Sequence, residues 1–231
     1  QQLRDWLDRQ VVAQRVYLAM DAEALLAIDA SPMRTSENGI ALIAGTGSMA
    51  WGRNTHGQTA RCGGWGYLLG DEGSAYALAL AALQKACQSA DGRGRQTSLL
   101  PTLLQATDCT SASQLIEWIY QDNIGREQIA GLCHAVFACC PDDASAREIV
   151  GSGGQALAEM VATVLRKLDI GGHPYRLVLA GGVLCQQPSY LQWVLNALEQ
   201  AGLPPASWQL TQQPVAGALQ LACRLLLEPM H

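Results

Sequence analysis

Two glycine-rich stretches between residues 39 and 74 carry the residue types best suited to chemistry. The first reads G-I-A-L-I-A-G-T-G-S, and the second reads C-G-G-W-G-Y-L-L-G-D-E-G-S. Glycines let backbone N–H groups approach a ligand closely, and the hydroxyl and carboxylate side chains among them can hold it. The combination predicts a site for phosphate and a polyhydroxylated molecule rather than a packed core.

The turn Gly45–Ser48 directly follows the apolar run Ile40–Ala44, which has the length and composition of a buried strand. Ligands in open α/β sheets bind beyond the carboxyl ends of the strands, so this position favours a phosphate-binding turn. An ordinary tight turn explains the same residues, because glycine and hydroxyl residues are common in turns. The sequence has neither the Gly-Lys-Ser/Thr of a P-loop nor the G-x-G-x-x-G of a dinucleotide-binding turn.

The second stretch places Trp65 between glycines and two carboxylates near its end. A tryptophan flanked by Gly64 and Gly66 gains little packing from its chain neighbours. It is therefore predicted either as one wall of a sugar pocket or as a plug at a domain junction. Asp71 can accept hydrogen bonds from two ligand hydroxyls. Alternatively, it is simply favourable chemistry at the start of a helix predicted over Asp71–Ala90.

Two further positions follow predicted strands. Asp21 comes directly after the apolar run Val11–Met20, where a carboxylate is costly unless it lines a cleft. It can act as a general base, because phosphoryl transfer asks little basicity of that group. Capping of the following helix explains Asp21 equally well. Gly181 and Gly182 end the strand V-L-A-G-G. Their lack of side chains suits either a surface on which a nucleotide base and ribose lie flat or tight packing between strand and helix.

The elements around these motifs predict an α/β protein. Strands are expected at 11–20, 40–44, 49–53, 58–62, 175–184 and 207–210. Helices are expected at 1–10, 22–28, 71–90, 97–106, 113–120, 126–140, 144–168, 189–201 and 217–227. Alternating strands and helices imply a largely parallel sheet, apart from one hairpin that turns at N-T-H-G.

Composition excludes several classes of function. The 231 residues, 49% hydrophobic and 15% charged, suffice for one large domain or two small ones. A net charge of -5 gives no general attraction for nucleic acid or anionic lipid. No signal peptide or membrane span is visible, so a cytoplasmic protein is expected. The 8 cysteines form no C-x-x-C pair and the histidines show no ligand spacing, so buried, reduced thiols and no metal site are predicted.

These motifs occur together and in one order, and the chain resembles the N-acetylglucosamine kinase branch of the BadF/BadG/BcrA/BcrD ATPase family. That family belongs to the actin-like, hexokinase-type ATPases. The resemblance rests on M-D-A at Asp21, the two glycine-rich stretches, V-L-A-G-G-V, and P-V-A-G-A-L-Q-L-A near the C-terminus. It implies the actin-like ATPase (ribonuclease H-like) fold, an α/β fold with a mixed sheet flanked by helices. Residues 1–30 would end the N-terminal lobe, and residues 31–231 would form the C-terminal lobe with a helical middle at about 97–168.

The resemblance also implies an activity, the ATP-dependent phosphorylation of an amino sugar. N-acetylglucosamine at its 6-hydroxyl is expected first, with glucosamine or N-acetylmuramic acid as alternatives, and Asp21 would be the catalytic base. ATP would be bound by Gly45, Thr46, Gly47, Ser48, Gly181 and Gly182. The sugar would be bound by Asp21, Ser48, Gly64, Trp65, Gly66 and Asp71. Mg²⁺ would be held mainly by phosphates and waters, and a homodimer is expected because similar kinases form them.

The chain departs from such kinases at its beginning. They start with a glycine-rich strand and turn that grips the phosphates, and no such segment is visible, so the isolated chain is expected to turn over poorly. Two other functions stay open. A dehydratase activator of the same family would need cysteines that bridge an iron–sulfur cluster between subunits, and the helical core positions of the cysteines argue against it. A sugar-sensing protein without turnover is the other.

Overall fold

The computed structural model describes residues 5–6, 16, 18–28, 37–213 and 215–227. The strands within these ranges are β1 (Gly39–Ala44), β2 (Ser48–Arg53), β3 (Thr59–Gly63), β4 (Arg176–Ala180) and β5 (Ser207–Thr211). The helices are α1 (Asp21–Ala27), α2 (Ala75–Ala90), α3 (Leu99–Ala106), α4 (Gln114–Ile119), α5 (Arg126–Gly131), α6 (Cys133–Cys139), α7 (Ala144–Lys167), α8 (Gly182–Gln186), α9 (Pro188–Gln200) and α10 (Val215–Leu227).

The five strands form one sheet in the order β3-β2-β1-β4-β5. β4 runs parallel to β1 and to β5, whereas β1, β2 and β3 pair antiparallel as a meander. The sheet is therefore mixed, as the fold class predicts. The predicted hairpin of β2 and β3 is confirmed. The expectation of a parallel sheet outside that hairpin is wrong for the pairing of β1 with β2, because the chain turns straight back after Ala44, which pairs with Ser48, instead of crossing over.

The sheet separates a large core from a small one because alternate residues of a strand point to opposite faces. Ile40 and Leu42 of β1 face the large core, which is closed by α2, α6, α7 and α9. Ala41 and Val178 face the small core beneath α1. Burial on both faces explains why β1 and β4 read as nearly continuous apolar runs.

The long helix α7 links the two ends of the large core. Asp143 caps its first turn by accepting from the Ala146 N–H at 2.9 Å. Near its middle, Gly153 and Gly154 leave room for α9, since an added Cβ would lie 2.6 Å from the Tyr190 hydroxyl and 3.1 Å from Trp193 Cβ, respectively. Twenty-four residues give α7 a length of about 36 Å, and it packs against β1, β2 and β3.

Some predicted boundaries differ from the structure. The stretch 126–140 forms two helices, α5 and α6, rather than one, and the strand predicted over 175–184 ends at Ala180. The strand predicted over 11–20 lies mostly outside the described residues, and residues 16 and 18–20 belong to no strand. The helix predicted over 1–10 also lies mostly outside them, with residues 5 and 6 helical. The division into lobes stays a prediction.

All eight cysteines are free thiols, but only Cys133 and Cys139 are buried, so the expectation of buried thiols is wrong for the others. The six others are half-buried or, for Cys223, exposed. Within the ranges given above, no three His, Cys, Asp or Glu residues gather as a metal-binding cluster. No helix in those ranges is long and apolar enough to cross a membrane.

Candidate functional site

The G-T-G-S turn joins the buried strand β1 to β2 and is closed by its own backbone. The Gly45 N–H donates to the Gly47 carbonyl at 2.9 Å. The Gly45 carbonyl accepts from the N–H of Ala75, the first residue of α2, at 2.8 Å. This hydrogen bond attaches the turn to the segment that carries the second glycine-rich motif.

Asp71 fastens the two motifs together. One of its oxygens, Oδ1, accepts from the Ser48 N–H at 3.1 Å, and the other, Oδ2, accepts from Nη2 of Arg126 at 2.8 Å. In return, the Ser48 hydroxyl donates to the Glu72 carbonyl at 2.7 Å. Only 3% of Asp71 is exposed, so these contacts replace the hydration that its carboxylate loses. The first and second motifs are therefore joined into one structural unit.

The turn before α2 has a backbone that explains why this helix starts later than predicted. Asp71 has a φ of 63° and Gly73 a φ of 76°, both in the left-handed region. The helix therefore begins at Ala75 and not at Asp71, and Ser74 caps it by accepting from the Ala77 N–H at 3.3 Å. The role of Asp71 in starting the helix is thus wrong, and its carboxylate is directed instead at Ser48 and Arg126.

A buried tyrosine holds the same turn from behind. The Tyr190 hydroxyl donates to the Gly73 carbonyl at 2.8 Å, and Tyr190 is fully buried. Burial raises the pKa of Tyr190 above its ordinary value of 10, so the hydroxyl keeps the proton that it donates. A Cβ on Gly73 would lie 2.6 Å from the Gly153 carbonyl, so the turn and α7 are in close contact.

A cleft of about 360 Å³ opens beside the G-T-G-S turn. Its lining comes from the turn, the start of α2, α5, α6, α8 and the residue after α8: Gly45, Thr46, Ala75, Glu127, Ala130, Gly131, Cys133, His134, Gly182, Val183, Gln186 and Gln187. Gly181, with a φ of 104°, lets the ends of β4 and β1 meet, because an added Cβ would collide with the Ala44 carbonyl. The residues predicted to bind ATP, at 45–48 and 181–182, therefore meet at this edge of the sheet.

The predicted sugar wall is open. Trp65 is 65% exposed, with the Arg61 guanidinium 5.3 Å from its ring centroid, so Trp65 does not act as a plug within the described residues. Gly64 and Gly66 take φ values of 70° and 81°, which explains the glycines on both sides of the indole. Trp65 and Glu72 also line a hollow of about 310 Å³ between β3 and α7.

Asp21 lies apart from these contacts. It is exposed and is the first residue of α1, whose N-cap is Met20, so Asp21 is neither buried nor the cap itself. The carbonyls of Leu26 and Ile28 at the other end of α1 accept from the Arg176 guanidinium at 2.6 and 2.8 Å. Because Arg176 begins β4, which is parallel to β1, the Asp21 end of α1 is directed away from the amino ends of β1 and β4.

Several residues of the site carry no conspicuous sequence signal. Arg126, Glu127, His134 and Tyr190 lie in ordinary helical patterns, and only their contacts single them out. A usable signal was the run G-S-G-G at 151–154. Glycine costs about 1 kcal/mol relative to alanine inside a helix, so several glycines in α7 indicate a close approach by another segment.

A scan against protein families matches residues 4–222 to the BadF/BadG/BcrA/BcrD ATPase family. The chain belongs to this family. The membership expected from the motifs is therefore confirmed, and it covers both glycine-rich stretches and the strand that ends at Gly181.

Two curated relatives are named as amino-sugar kinases. An N-acetylmuramic acid/N-acetylglucosamine kinase of Clostridium acetobutylicum is 34% identical over 171 residues, which is 74% of this chain and 55% of the relative. An N-acetyl-D-glucosamine kinase of Dictyostelium discoideum is 27% identical over 95% of this chain and 69% of the relative. The chain thus spans about half the length of the first relative and about two thirds of the second.

The fold has close counterparts among solved structures. A candidate N-acetylglucosamine kinase of Chromobacterium violaceum superposes with a TM-score of 0.71 at 22% identity, over 95% of this chain and 71% of that one. This likeness and the mixed sheet confirm the predicted α/β fold class.

Proposed function

We propose that the full-length gene product transfers a phosphoryl group from ATP to an amino sugar. The observation that carries the proposal is the junction between the two motifs, in which Asp71 accepts from the Ser48 N–H at 3.1 Å. A turn suited to phosphates and a carboxylate suited to sugar hydroxyls are thereby held within one hydrogen bond of each other. The two relatives named as N-acetylglucosamine kinases support the same substrate class.

ATP suits the cleft beside the G-T-G-S turn. The turn supplies backbone N–H groups and the Thr46 hydroxyl at one end, and the glycines at 181–182 provide a flat surface at the other. Small residues here allow close approach of a phosphate chain. Glu127 and His134, on the wall formed by α5 and α6, offer polar groups to a nucleoside.

The sugar would lie between Trp65 and Asp71. The exposed face of the indole provides an apolar surface for a pyranose ring, and Asp71 accepts hydrogen bonds from hydroxyls. Ser48 is 3% exposed, and its hydroxyl donates to the Glu72 carbonyl, so toward the sugar this hydroxyl can act only as a hydrogen-bond acceptor. N-acetylglucosamine is the first candidate, with glucosamine and N-acetylmuramic acid as alternatives.

Asp21 would act as the base for the 6-hydroxyl of the sugar. Its exposed carboxylate at the start of α1 is free to approach a substrate, and a loose phosphoryl-transfer transition state needs only a weak base. Mg²⁺ would neutralise charge on the phosphates, which with water would supply most of its ligands. A homodimer and a cytoplasmic location stay predictions.

The test is a coupled ADP-release assay on the full-length gene product with Mg-ATP and a panel of amino sugars. We expect turnover with at least one N-acetylated amino sugar and a 6-phosphate product by mass spectrometry and NMR. Sugar-independent ADP release, or a different product, would refute the proposal. Sugar binding without ADP release would refute it in favour of a sensing protein.

Two carboxylate variants separate the assigned roles. Asp21→Asn should lower kcat about 100-fold or more with little change in sugar affinity, since removal of a general base slows the chemical step. Asp71→Asn should mainly raise the KM for the sugar. Asp91→Asn is the matched control, because Asp91 is exposed and forms a surface ion pair with Arg93. Equal loss of kcat and affinity in Asp21→Asn would contradict its role as base.

A further inference from the structure

We propose that Arg126 is a positioning residue for sugar binding, because it sets the orientation of the Asp71 carboxylate. The inference rests on the proposed function of Asp71 as a sugar ligand. Arg126 begins α5, 55 residues after Asp71, and its Nη2 donates to Oδ2 of Asp71 at 2.8 Å. The ion pair thus joins the wall of the nucleotide cleft to the sugar-binding turn.

The two partners of this ion pair differ in exposure. The Asp71 side chain is 5% exposed, whereas the Arg126 side chain is 36% exposed. A buried carboxylate needs a charged or hydrogen-bonding partner, while a half-exposed guanidinium can be solvated without one. Asp71 therefore depends on Arg126 more than Arg126 depends on Asp71.

The contacts of Arg126 fix its direction. Its guanidinium lies 5.7 Å from the centroid of the Tyr67 ring, within the range of a cation–π contact. The start of α5 is fixed as well, since Gln128 Oε1 accepts from the Gly125 N–H at 3.0 Å. The Nε of Arg126 is buried and lacks a hydrogen-bond partner among the described residues. The Arg126 guanidinium thus orients the Asp71 carboxylate while one of its own N–H groups is left without a hydrogen bond among the described residues.

Gly47 makes room for the same pair. A Cβ at this position would collide with Nη2 of Arg126 and lie 2.8 Å from Oδ2 of Asp71. The second glycine of the G-T-G-S turn is therefore required by the ion pair as well as by any approaching phosphate. Oδ1 of Asp71 is held by the Ser48 N–H, so both carboxylate oxygens have defined directions and each keeps a lone pair for a hydroxyl.

The test uses Arg126→Met and Arg126→Lys in the full-length gene product, with kcat and the KM values for sugar and ATP measured separately. Loss of carboxylate orientation should raise the sugar KM about tenfold in Arg126→Met, with kcat and the ATP KM changed less than threefold. Arg126→Lys keeps the charge but not the planar guanidinium, so it should recover part of the affinity. Arg93→Gln, which removes an exposed ion pair of the same 2.8 Å length, should leave all three constants unchanged.

A double mutant separates positioning from a general structural role. In Asp71→Asn/Arg126→Met the sugar KM should be no higher than in Asp71→Asn alone, because both changes remove the same oriented acceptor. Additive effects would overturn the proposal. So would a fall in kcat or a rise in the ATP KM without a change in the sugar KM, which would indicate direct phosphate contact.

Three further outcomes are distinguished by controls. A lower melting temperature in Arg126→Met with an unchanged sugar KM would show an ion pair that matters only for stability, and would overturn the inference. If the unaltered protein neither binds nor phosphorylates any amino sugar, the proposed function fails, and the role of Arg126 in sugar binding fails with it. An active protein with unaffected Arg126 variants refutes the inference alone.

Discussion

Two halves of the second glycine-rich stretch, residues 65–69 and 70–74, differ in which kind of side chain they expose to solvent. Residues 65–69 expose large apolar groups, with Trp65 at 65%, Leu68 at 79% and Leu69 at 79% exposure. Residues 70–74 bury two of their three polar side chains, Asp71 at 3% and Ser74 at 0% exposure, and expose only Glu72. In most proteins apolar side chains are buried and polar ones exposed. This reversal of the usual pattern shows that the buried polar side chains of residues 70–74 fix the shape of the turn. The exposed apolar side chains of residues 65–69 form a surface.

The largest expected loss of stability comes from a glycine-to-alanine substitution in the second half, compared with the same substitution in the first half. Gly73→Ala forces a positive φ of 76° on alanine and places its Cβ 2.6 Å from the Gly153 carbonyl. We expect a loss of about 3 kcal/mol in the free energy of unfolding, from backbone strain plus a collision inside the core. Gly66→Ala is the matched control, because it has a φ of 81° and no atom within 4 Å of an added Cβ.

The control should lose only about 1 kcal/mol, from backbone strain alone. Urea unfolding of the two variants measures the difference. Equal losses would mean that the second half is no more tightly packed than the first, and the comparison would fail.

A smaller effect is expected from removing one hydroxyl behind the second half. Tyr190→Phe leaves the Gly73 carbonyl without its donor at 2.8 Å, which should cost about 2 kcal/mol and raise the sugar KM several-fold. Tyr175→Phe removes a hydrogen bond of the same length to the Leu203 carbonyl, away from the motifs. It should lower stability similarly without altering the kinetic constants. A kinetic change in both variants, or in neither, would contradict the positional role of Tyr190.

A third test concerns a buried carboxylate outside the motifs. Burial alone would raise the pKa of Asp143, but hydrogen bonds from Ala146, Thr97 and Ser98 outweigh burial and lower the pKa below its ordinary value of 3.8. The stabilisation is therefore fully present above the unfolded pKa and is lost as the pH falls through the folded one.

The free energy of unfolding should accordingly fall below about pH 4 in the unaltered chain, and less steeply in Asp143→Asn. Acid titration followed by urea unfolding measures both slopes. Sugar affinity at neutral pH should be unaffected in Asp143→Asn, in contrast to Asp71→Asn. Identical acid slopes in the two proteins would show that Asp143 does not contribute.

The smallest effect is expected in the exposed half. Leu68→Ser replaces a side chain that is 79% exposed, so the free energy of unfolding should change by less than about 0.5 kcal/mol. Leu78→Ser, on the buried face of α2, is the contrasting variant and should cost several times more. A loss above about 1 kcal/mol in Leu68→Ser of the full-length gene product would mean that another surface covers this half.

Local sequence patterns located all five strands of the sheet, but they mark only some residues of the candidate site. Buried apolar runs located β1 and β4, and turn residues located the hairpin between β2 and β3, because these signals depend on neighbours in the chain. The parallel or antiparallel sense of β2 depends on how the chain returns after Ala44, which composition does not encode. The start of α2 was missed because carboxylates favour helix starts, whereas Asp71 adopts a left-handed backbone conformation through contacts with distant residues.

The same distinction separates the site residues that could be predicted from those that could not. Glycines and hydroxyls at 45–48 and 181–182 stand out because their types are unusual after a strand. Arg126 contacts Asp71 across 55 residues, and Tyr190 contacts Gly73 across 117, so no local pattern marks them. The role of Asp21 as base rests on resemblance and awaits the kinetic test.

Two contacts of the helix α7 lie far apart along its length. Gly153 lies against Gly73, and at its far end the Leu168 carbonyl accepts from the Asn54 amide at 3.1 Å, at the tip of the β2–β3 hairpin. Because a helix is stiff, a shift of α7 at its contact with Gly73 would also shift its contact with Asn54. A rearrangement of residues 70–74 would therefore be transmitted along α7 to the hairpin tip, where a fluorescent or NMR label at Thr55 would detect it.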